Sequence, residues 1–503
     1  MFPSEIPWQS SAGIPLLAML QLLPLAAAGI MLGMRSARMG IAGALVLASG
    51  ELALALYVYI LLDQGSAALQ LAERWTLSPA INYHAAVDGV SVLFILLTAL
   101  LCLLLTAYGP LLRLEPLRRY FAAVFAVEAT LMSLFATLDL LWFTMVSGVQ
   151  LALVGYLLWR WATSPAKGLA LARFYQFMGT GLLLLLAGTL LLGWSHADTT
   201  GGRWTFDLTE LVAVRVPPAL SSLAFFLLFY GFAVRTPLFP LHGWLPLVAE
   251  HGNIAVAPTL LLGLKVGIYG LIRFVFPLVP EAVTQWNAYV VAFATAGTFY
   301  AALLALMQDN LRRLLAFAVV SHTSILIIGL FSLGLPAFEG GVMLSVDFGL
   351  AVAGLLLMTG LVYRRTNTTL LSKLGGLFDR LPVIGIAFLV AGLSIVGMPG
   401  TPGFDAAHLT LGAAAERFGA LVTIAAALGN VAAAAFLLWA FQRAFLSPRP
   451  AEAPAVVAPA SWMERLIAGL IVIVLLGAGF YSEPWLKLVD APLTALSARF
   501  PHG

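Results

Sequence analysis

Apolar residues fall into runs of about twenty along the whole chain, each closed by a short polar or proline-rich stretch; runs of that length match the hydrocarbon thickness of a bilayer. The pattern predicts fourteen membrane-spanning helices, near 13–34, 40–62, 89–110, 119–136, 139–160, 172–193, 219–235, 255–276, 287–307, 313–333, 340–363, 382–399, 418–443 and 463–482. Two shorter apolar pieces, near 238–249 and 404–414, follow proline-rich breaks and read as second halves of discontinuous helices. The alternating polar and apolar pattern of a membrane barrel is absent. The fold class is an all-α polytopic membrane protein.

Composition agrees. Hydrophobic residues make up 61% of the 503 positions and charged residues 10%, against about 25% charged in soluble domains. The net charge of +3 is scattered through short loops with no basic stripe, so nucleic acid is not an expected partner; the lipid bilayer is. A single cysteine, Cys102, excludes an intrachain disulfide framework and an all-cysteine metal site. The N-terminal "MFPSEIPWQSSAG" lacks the positive region of a signal peptide, and the apolar run after it reads as a retained first helix. Lys and Arg concentrate in alternate loops (Arg35 and Arg38; Arg113, Arg118 and Arg119; Arg160, Lys167 and Arg173; Arg312 and Arg313; Arg364, Arg365, Lys373 and Arg380; Arg443 and Arg449). By the positive-inside rule those loops are cytoplasmic and both termini lie on the opposite side. A bacterial cytoplasmic membrane is the expected location.

The breaks divide the chain. "RTPLFP" (235–240), with Pro237 and Pro240, and "GMPGTPGF" (397–404), with Pro399 and Pro402, lie about 160 residues apart, and each is followed by a half-helix. Paired interruptions of this kind point to inverted repeats with a pathway at the breaks, since irregular backbone at membrane depth survives only inside protein or along a wet cavity. The expected organisation is an N-terminal three-helix segment (1–117), two five-helix repeats (118–280 and 286–445) and a C-terminal helix and tail (446–503).

Ionisable residues inside spans are functional candidates by default. Lys265 sits mid-helix in "LLLGLKVGIYGL", flanked by Gly263 and Gly267, and can load and release a proton or hold a structural ion pair. Glu128 is its partner or a relay acid. His322 suits a relay, though a hydrogen-bonded core histidine fits as well. Asp347, Asp405 and His408 complete the candidate proton path, while Arg235 and His242 mark the first break. Arg235 stays protonated at any working pH and so cannot relay; it sets a fixed charge. Arg273, near a helix end, is expected to snorkel, and Glu51 lies mid-span without an evident role. No phosphate loop, H-E-x-x-H or C-x-x-C occurs, so no metal site, cofactor or redox centre is expected in this chain itself.

The segments "VDGVSVLF" (87–94), "VEATLMSLFATLDLLWF" (127–143), "VRTPLFPLHGWLP" (234–246), "LLGLKVGIYGLIRFVFPLVPE" (261–281), "QDNLRRLLAFAVVSHTSILIIGLFS" (308–332) and "GMPGTPGF" (397–404) resemble, in order and spacing, the antiporter-like membrane subunits of respiratory complex I, closest to the M type. The resemblance covers most of the chain. It implies fourteen helices, two inverted five-helix repeats, two broken helices and a central chain of lysines, histidines and glutamates that moves protons. Carried over, the eighth-helix lysine is Lys265 and the tenth-helix histidine is His322. Other positions depart: the lysine before the first break is Arg235, the fifth-helix glutamate aligns with Gly148, the glutamate after the second break with Ala407, and the eleventh-helix histidine near Phe348, beside Asp347. Glu128, Asp139 or another chain is expected to neutralise Arg235. The implied function is an ion-conducting subunit of a complex I-type NADH-quinone oxidoreductase, with other membrane subunits and peripheral redox subunits as partners. The alternatives are the membrane subunit of an inorganic-carbon uptake complex, partnered by a CO₂-hydrating subunit, and a structural paralogue that moves no ions.

Overall fold

A computed structural model describes residues 4–76, 82–253, 265–450 and 457–500. Among these, twelve helices are long and apolar enough to cross a membrane. They are α1 (Leu16–Gly33), α2 (Ala37–Leu61), α3 (Gly89–Leu111), α4 (Leu117–Ala136), α5 (Leu140–Arg160), α6 (Lys167–Thr199), α7 (Pro218–Arg235), then, after two shorter pieces, α10 (Pro280–Leu306), α11 (Leu311–Leu330), α12 (Leu335–Thr366), α14 (Pro402–Phe441) and α15 (Trp462–Phe480). The shorter pieces are α8 (Leu245–His251) and α9 (265–278), the described part of the span expected at 255–276; its residues 255–264, Gly263 among them, lie outside the described residues. The fifteen-residue α13 (Pro382–Val396) precedes α14, and an amphipathic α16 (Glu483–Ser497) closes the chain. The sequence pattern expects fourteen spans; α13 is shorter than a full crossing and α9 is described only in part.

Burial separates a protein-enclosed centre from a lipid-facing rim. α4, α11 and α12 are buried on nearly all sides, whereas α1, α2, α6 and α15 expose rows of leucine, isoleucine and valine. An all-apolar helix surface is the form required in lipid, where no water satisfies the backbone.

Two interruptions stand in the helices. α7 ends at Arg235; residues 236–244 follow in turns, with Pro237 buried and Pro240 exposed, and α8 resumes at Leu245. α13 ends at Gly397 in the left-handed region, Pro399 stands in the connecting turn, and Pro402 opens α14 at its first turn. Pro at that position loses no helical hydrogen bond. α14 is itself two arms meeting at Gly419, whose φ of 75° and ψ of −174° are not helical.

One element departs from an all-α reading. A small sheet, in which β1 (Glu5–Pro7) pairs parallel to β2 (Leu69–Thr76) and β2 antiparallel to β3 (Asn82–Val87), covers one end of the bundle. β2 carries both Glu73 and Gln70 inward, so its hydrophobic alternation is weak and the sequence pattern passes over it. The sheet acts as a clamp. Glu73 accepts from Leu17 N at 2.8 Å and Ala18 N at 3.0 Å, occupying the unsatisfied donors at the start of α1. The carbonyl of His84 accepts from Leu138 N at 2.8 Å, and Leu138 O accepts in turn from Leu208 N at 2.9 Å. The α2–α3, α4–α5 and α6–α7 connections are thereby sewn together.

Candidate functional site

The first break is shaped by residues that replace its missing backbone bonds. Trp244 is fully buried and its indole N–H donates to Val234 O at 3.1 Å, while Thr236 Oγ1 donates to Phe232 O at 2.7 Å. The first closes a carbonyl left open by the break; the second adds to the bond that Phe232 O already receives from Thr236 N at 2.9 Å. α9 presses directly on this end. A Cβ at Gly267 would collide with Thr236 Oγ1 and Phe232 O, and one at Gly270 with the Phe232 ring. Only glycine permits that approach, and it brings Lys265 to the level of the break.

Lys265 is buried, with Nζ 4.7 Å from the centre of the Phe348 ring on α12. Asp347 is the acid whose charge acts on it. The Asp347 carboxylate accepts from Ser394 Oγ on α13 at 2.6 Å, and its other oxygen is buried without a hydrogen bond. His322 of α11 also packs on Phe348, ring centres 5.3 Å apart; His322 Nδ1 faces Ala318 O at 3.2 Å. Lys265, Asp347 and His322 therefore converge, with both bases against Phe348 and the second break beside them: a Cβ at Gly403 would press on Asp347.

The remaining sequence candidates stand apart. Glu128 is completely buried in α4, neither oxygen hydrogen-bonded, and the acid acting on it is Glu51 of α2; among the described residues nothing joins it to Lys265. Asp405 is half-buried and accepts from Ser482 Oγ at 2.5 Å, and His408 is exposed on the outer face of α14. Neither reaches the cluster. His242 is buried among the rings of Phe239, Tyr300 and Phe317, 5.3 Å from that of Tyr300.

Arg235 corrects an expectation. Neither Glu128 nor Asp139 meets it. It donates to Gln150 Oε1 and to the Ser147 carbonyl of α5, each at 3.1 Å, and Asp139 instead caps α5 through Trp142 N at 2.8 Å. Arg273 does not snorkel either. It is buried in a π-helical turn (Leu271–Val275) and pairs with Asp88 at 2.7 Å, donating also to Ser91 Oγ at 2.9 Å. This explains the "VDGVSVLF" segment: Asp88 caps α3 through Ser91 N at 3.0 Å while holding Arg273. Arg312, expected in a cytoplasmic loop, is buried and binds the last carbonyls of α8, Glu250 O at 2.9 Å and Gly252 O at 2.6 Å. Sequence reasoning missed Ser394, Gln150 and Ser147; the only signal was a polar residue inside an apolar run.

At the sheet end, His84 is buried with Nδ1 2.6 Å from Asp207 and Nε2 3.4 Å from Glu5; Arg74 lies 3.4 Å from Asp207. Burial opposes protonation of His84, but the hydrogen bonds and charges of Asp207 and Glu5 outweigh it and raise its pKa to about 9. The hydrogen bond to His84 holds Glu5 below the ordinary carboxylate range; Asp207 is lowered too, burial being outweighed by the same histidine.

Comparison with known proteins fits this geometry. Residues 137–433 match the family model described as NADH:quinone oxidoreductase/Mrp antiporter, TM. The chain is similar to an NAD(P)H-quinone oxidoreductase chain 4 of a Synechococcus species, 30% identical over 99% of this chain and 94% of the relative. It is also similar to NADH-quinone oxidoreductase subunit M of Escherichia coli, 28% identical over 85% of each. A chain of respiratory complex I from Thermus thermophilus superposes with a TM-score of 0.86 at 28% identity, covering 96% of this chain and 99% of that one. The match spans both interruptions and the helices that carry Lys265, His322 and Asp347, and on that evidence the chain is a multi-pass membrane protein of the NADH:quinone oxidoreductase/Mrp antiporter transmembrane family.

Proposed function

We propose that the chain is a membrane-embedded, proton-conducting subunit of a complex I-type NADH:quinone oxidoreductase, assembled with other membrane subunits and with peripheral redox subunits. The observation that carries this reading is the buried convergence of Lys265, Asp347 and His322 at the broken helices. A buried lysine shifts its pKa readily, so its proton can be passed as the neighbouring carboxylate changes charge. In this reading the two interruptions belong to inverted repeats near 118–280 and 286–445, and the positively charged loops face the cytoplasm of a bacterial inner membrane with both termini on the far side. Redox chemistry resides in partner subunits. Replacing Lys265 with Ala in the intact complex is expected to abolish most of the proton translocation that inverted membrane vesicles support. Unchanged translocation would sink the proposal.

A second reading, a subunit that spaces its neighbours without moving ions, is favoured by two observations. Arg235 has neutral partners where a titrating pair is expected, and Lys265 and His322 both pack on the apolar Phe348 ring. Normal coupling after neutralising Lys265 and Arg235 together would support it. Co-purification with flavin and iron–sulfur proteins supports the first reading; a zinc-binding soluble partner points instead to inorganic-carbon uptake.

A further inference from the structure

The surroundings of Arg235 are unlike those of the other deeply buried arginines. Arg273 has a carboxylate at 2.7 Å, and Arg312 has the negative end of α8. Arg235 has one amide oxygen and one peptide carbonyl, and no carboxylate acts on it among the described residues. A guanidinium remains charged at any working pH. Burying one without a counter-charge costs several kcal/mol.

The two acceptors around it, Gln150 Oε1 and the Ser147 carbonyl, are both engaged by Arg235 itself. What remains is the Gln150 Nε2 amide and the Ser147 hydroxyl, both on side chains that are at least nine-tenths buried and both without a hydrogen bond. Ser147 and Gln150 are three residues apart and so share one face of α5. A cavity of about 30 Å³ lies against Gln150, Arg235 and Trp244, closed by Leu151, Val154, Phe174 and Met178. That volume holds one halide-sized ion or at most about two waters. Water needs acceptors as well as donors and would leave the net positive charge in place. A small anion takes the Arg235 and Gln150 Nε2 donors and cancels the charge.

We infer that Arg235 and Gln150 form a binding site for one small monovalent anion of chloride size, which serves as the counter-ion of Arg235 inside the membrane. This inference does not depend on the proton path through Lys265. The site lies on α5 and α7, and its occupant is set by anion concentration, not by protonation of a side chain. It also explains how the chain dispenses with an acid at Gly148: the negative charge is exchangeable instead of covalent.

Two measurements on the assembled complex test it. In bromide-soaked crystals an anomalous peak is expected in contact with the Arg235 guanidinium and Gln150 Nε2. Second, replacing chloride with gluconate at fixed ionic strength is expected to lower the unfolding temperature of the wild type. It should not shift that of Gln150→Glu, which carries its own carboxylate to Arg235. Water alone in the cavity, or a carboxylate from an adjoining subunit against Arg235, overturns the inference. So does an unfolding temperature indifferent to chloride in the wild type. If Gln150→Glu fails to fold, the bromide peak in the wild type still decides.

Discussion

Phe348 is the residue that Lys265 and His322 share. Its ring lies 4.7 Å from Lys265 Nζ and 5.3 Å from the His322 ring. A benzyl ring neither donates nor accepts a proton, so in the proposed path it offers no step between the two bases. Phe348→His keeps an aromatic ring of similar size and adds a titrating nitrogen. It is expected to raise the rate of proton uptake in vesicles holding the complex; an unchanged rate would mean that the ring is not the barrier. Lys265, Asp347 and His322 were legible in the sequence because a charge inside an apolar run has few bland explanations. Ser394 was not. It touches Asp347 from 47 positions away, and serine is ordinary in membrane helices. Gln150 escaped for the same reason: a neutral amide looks incidental until the arginine it holds is seen.

Elements explain why the breaks keep their shape. The prolines announced where α7 and α13 stop, and the half-helix at α8 was legible from the run that follows them. What could not be read was how the freed Val234 carbonyl is satisfied: Trp244 closes it, a contact that appears only once the chain has turned back. α9 then wedges against this corner through Gly267 and Gly270. Overpacking a close helix contact costs about 1–3 kcal/mol. Gly267→Ala is therefore expected to lower the thermal midpoint of the complex, and also to reduce proton translocation, because it pushes the helix bearing Lys265 away from the break. A variant that melts lower but pumps normally would show that the wedge is structural only. The sheet escaped the sequence reading because β2 turns buried polar groups inward, and the pairing partner of β1 lies more than sixty residues away.

For the molecule as a whole, the sheet end is where pH acts on stability. His84, Asp207, Glu5 and Arg74 link the N-terminal strand to the loops joining the helices, and the same end receives α16, whose Leu488 carbonyl sits where a Cβ at Gly89 would fall. His84 titrates near 6.5 when free and at about 9 when folded. A raised pKa means that the protonated clamp contributes fully below about 6.5 and loses its contribution as pH rises through about 9, on the order of 3 kcal/mol in all. The lowered values of Glu5 and Asp207 act oppositely, contributing above the ordinary carboxylate range and fading only in acid. Thermal midpoints should accordingly fall between pH 7 and 9 in the wild type and fall less in His84→Gln. Equal slopes for the two proteins would remove His84 from the account.

Gly419 gives the long α14 a further property, one of mutational tolerance. Nothing lies within 4 Å of where its Cβ would be, and Leu421 and Ile424 nearby point outward. By packing alone the position should accept almost any apolar side chain, as its lipid-facing neighbours do. Its φ of 75° with ψ of −174° forbids this, because that region is essentially open to glycine alone and costs any other residue about 1–3 kcal/mol. A saturation scan of 415–425 should find a single intolerant position in a permissive stretch, with every replacement of Gly419 costly. A flat profile would mean that the two arms of α14 can straighten. Selection there would act on a corner in the chain, not on anything the residue touches.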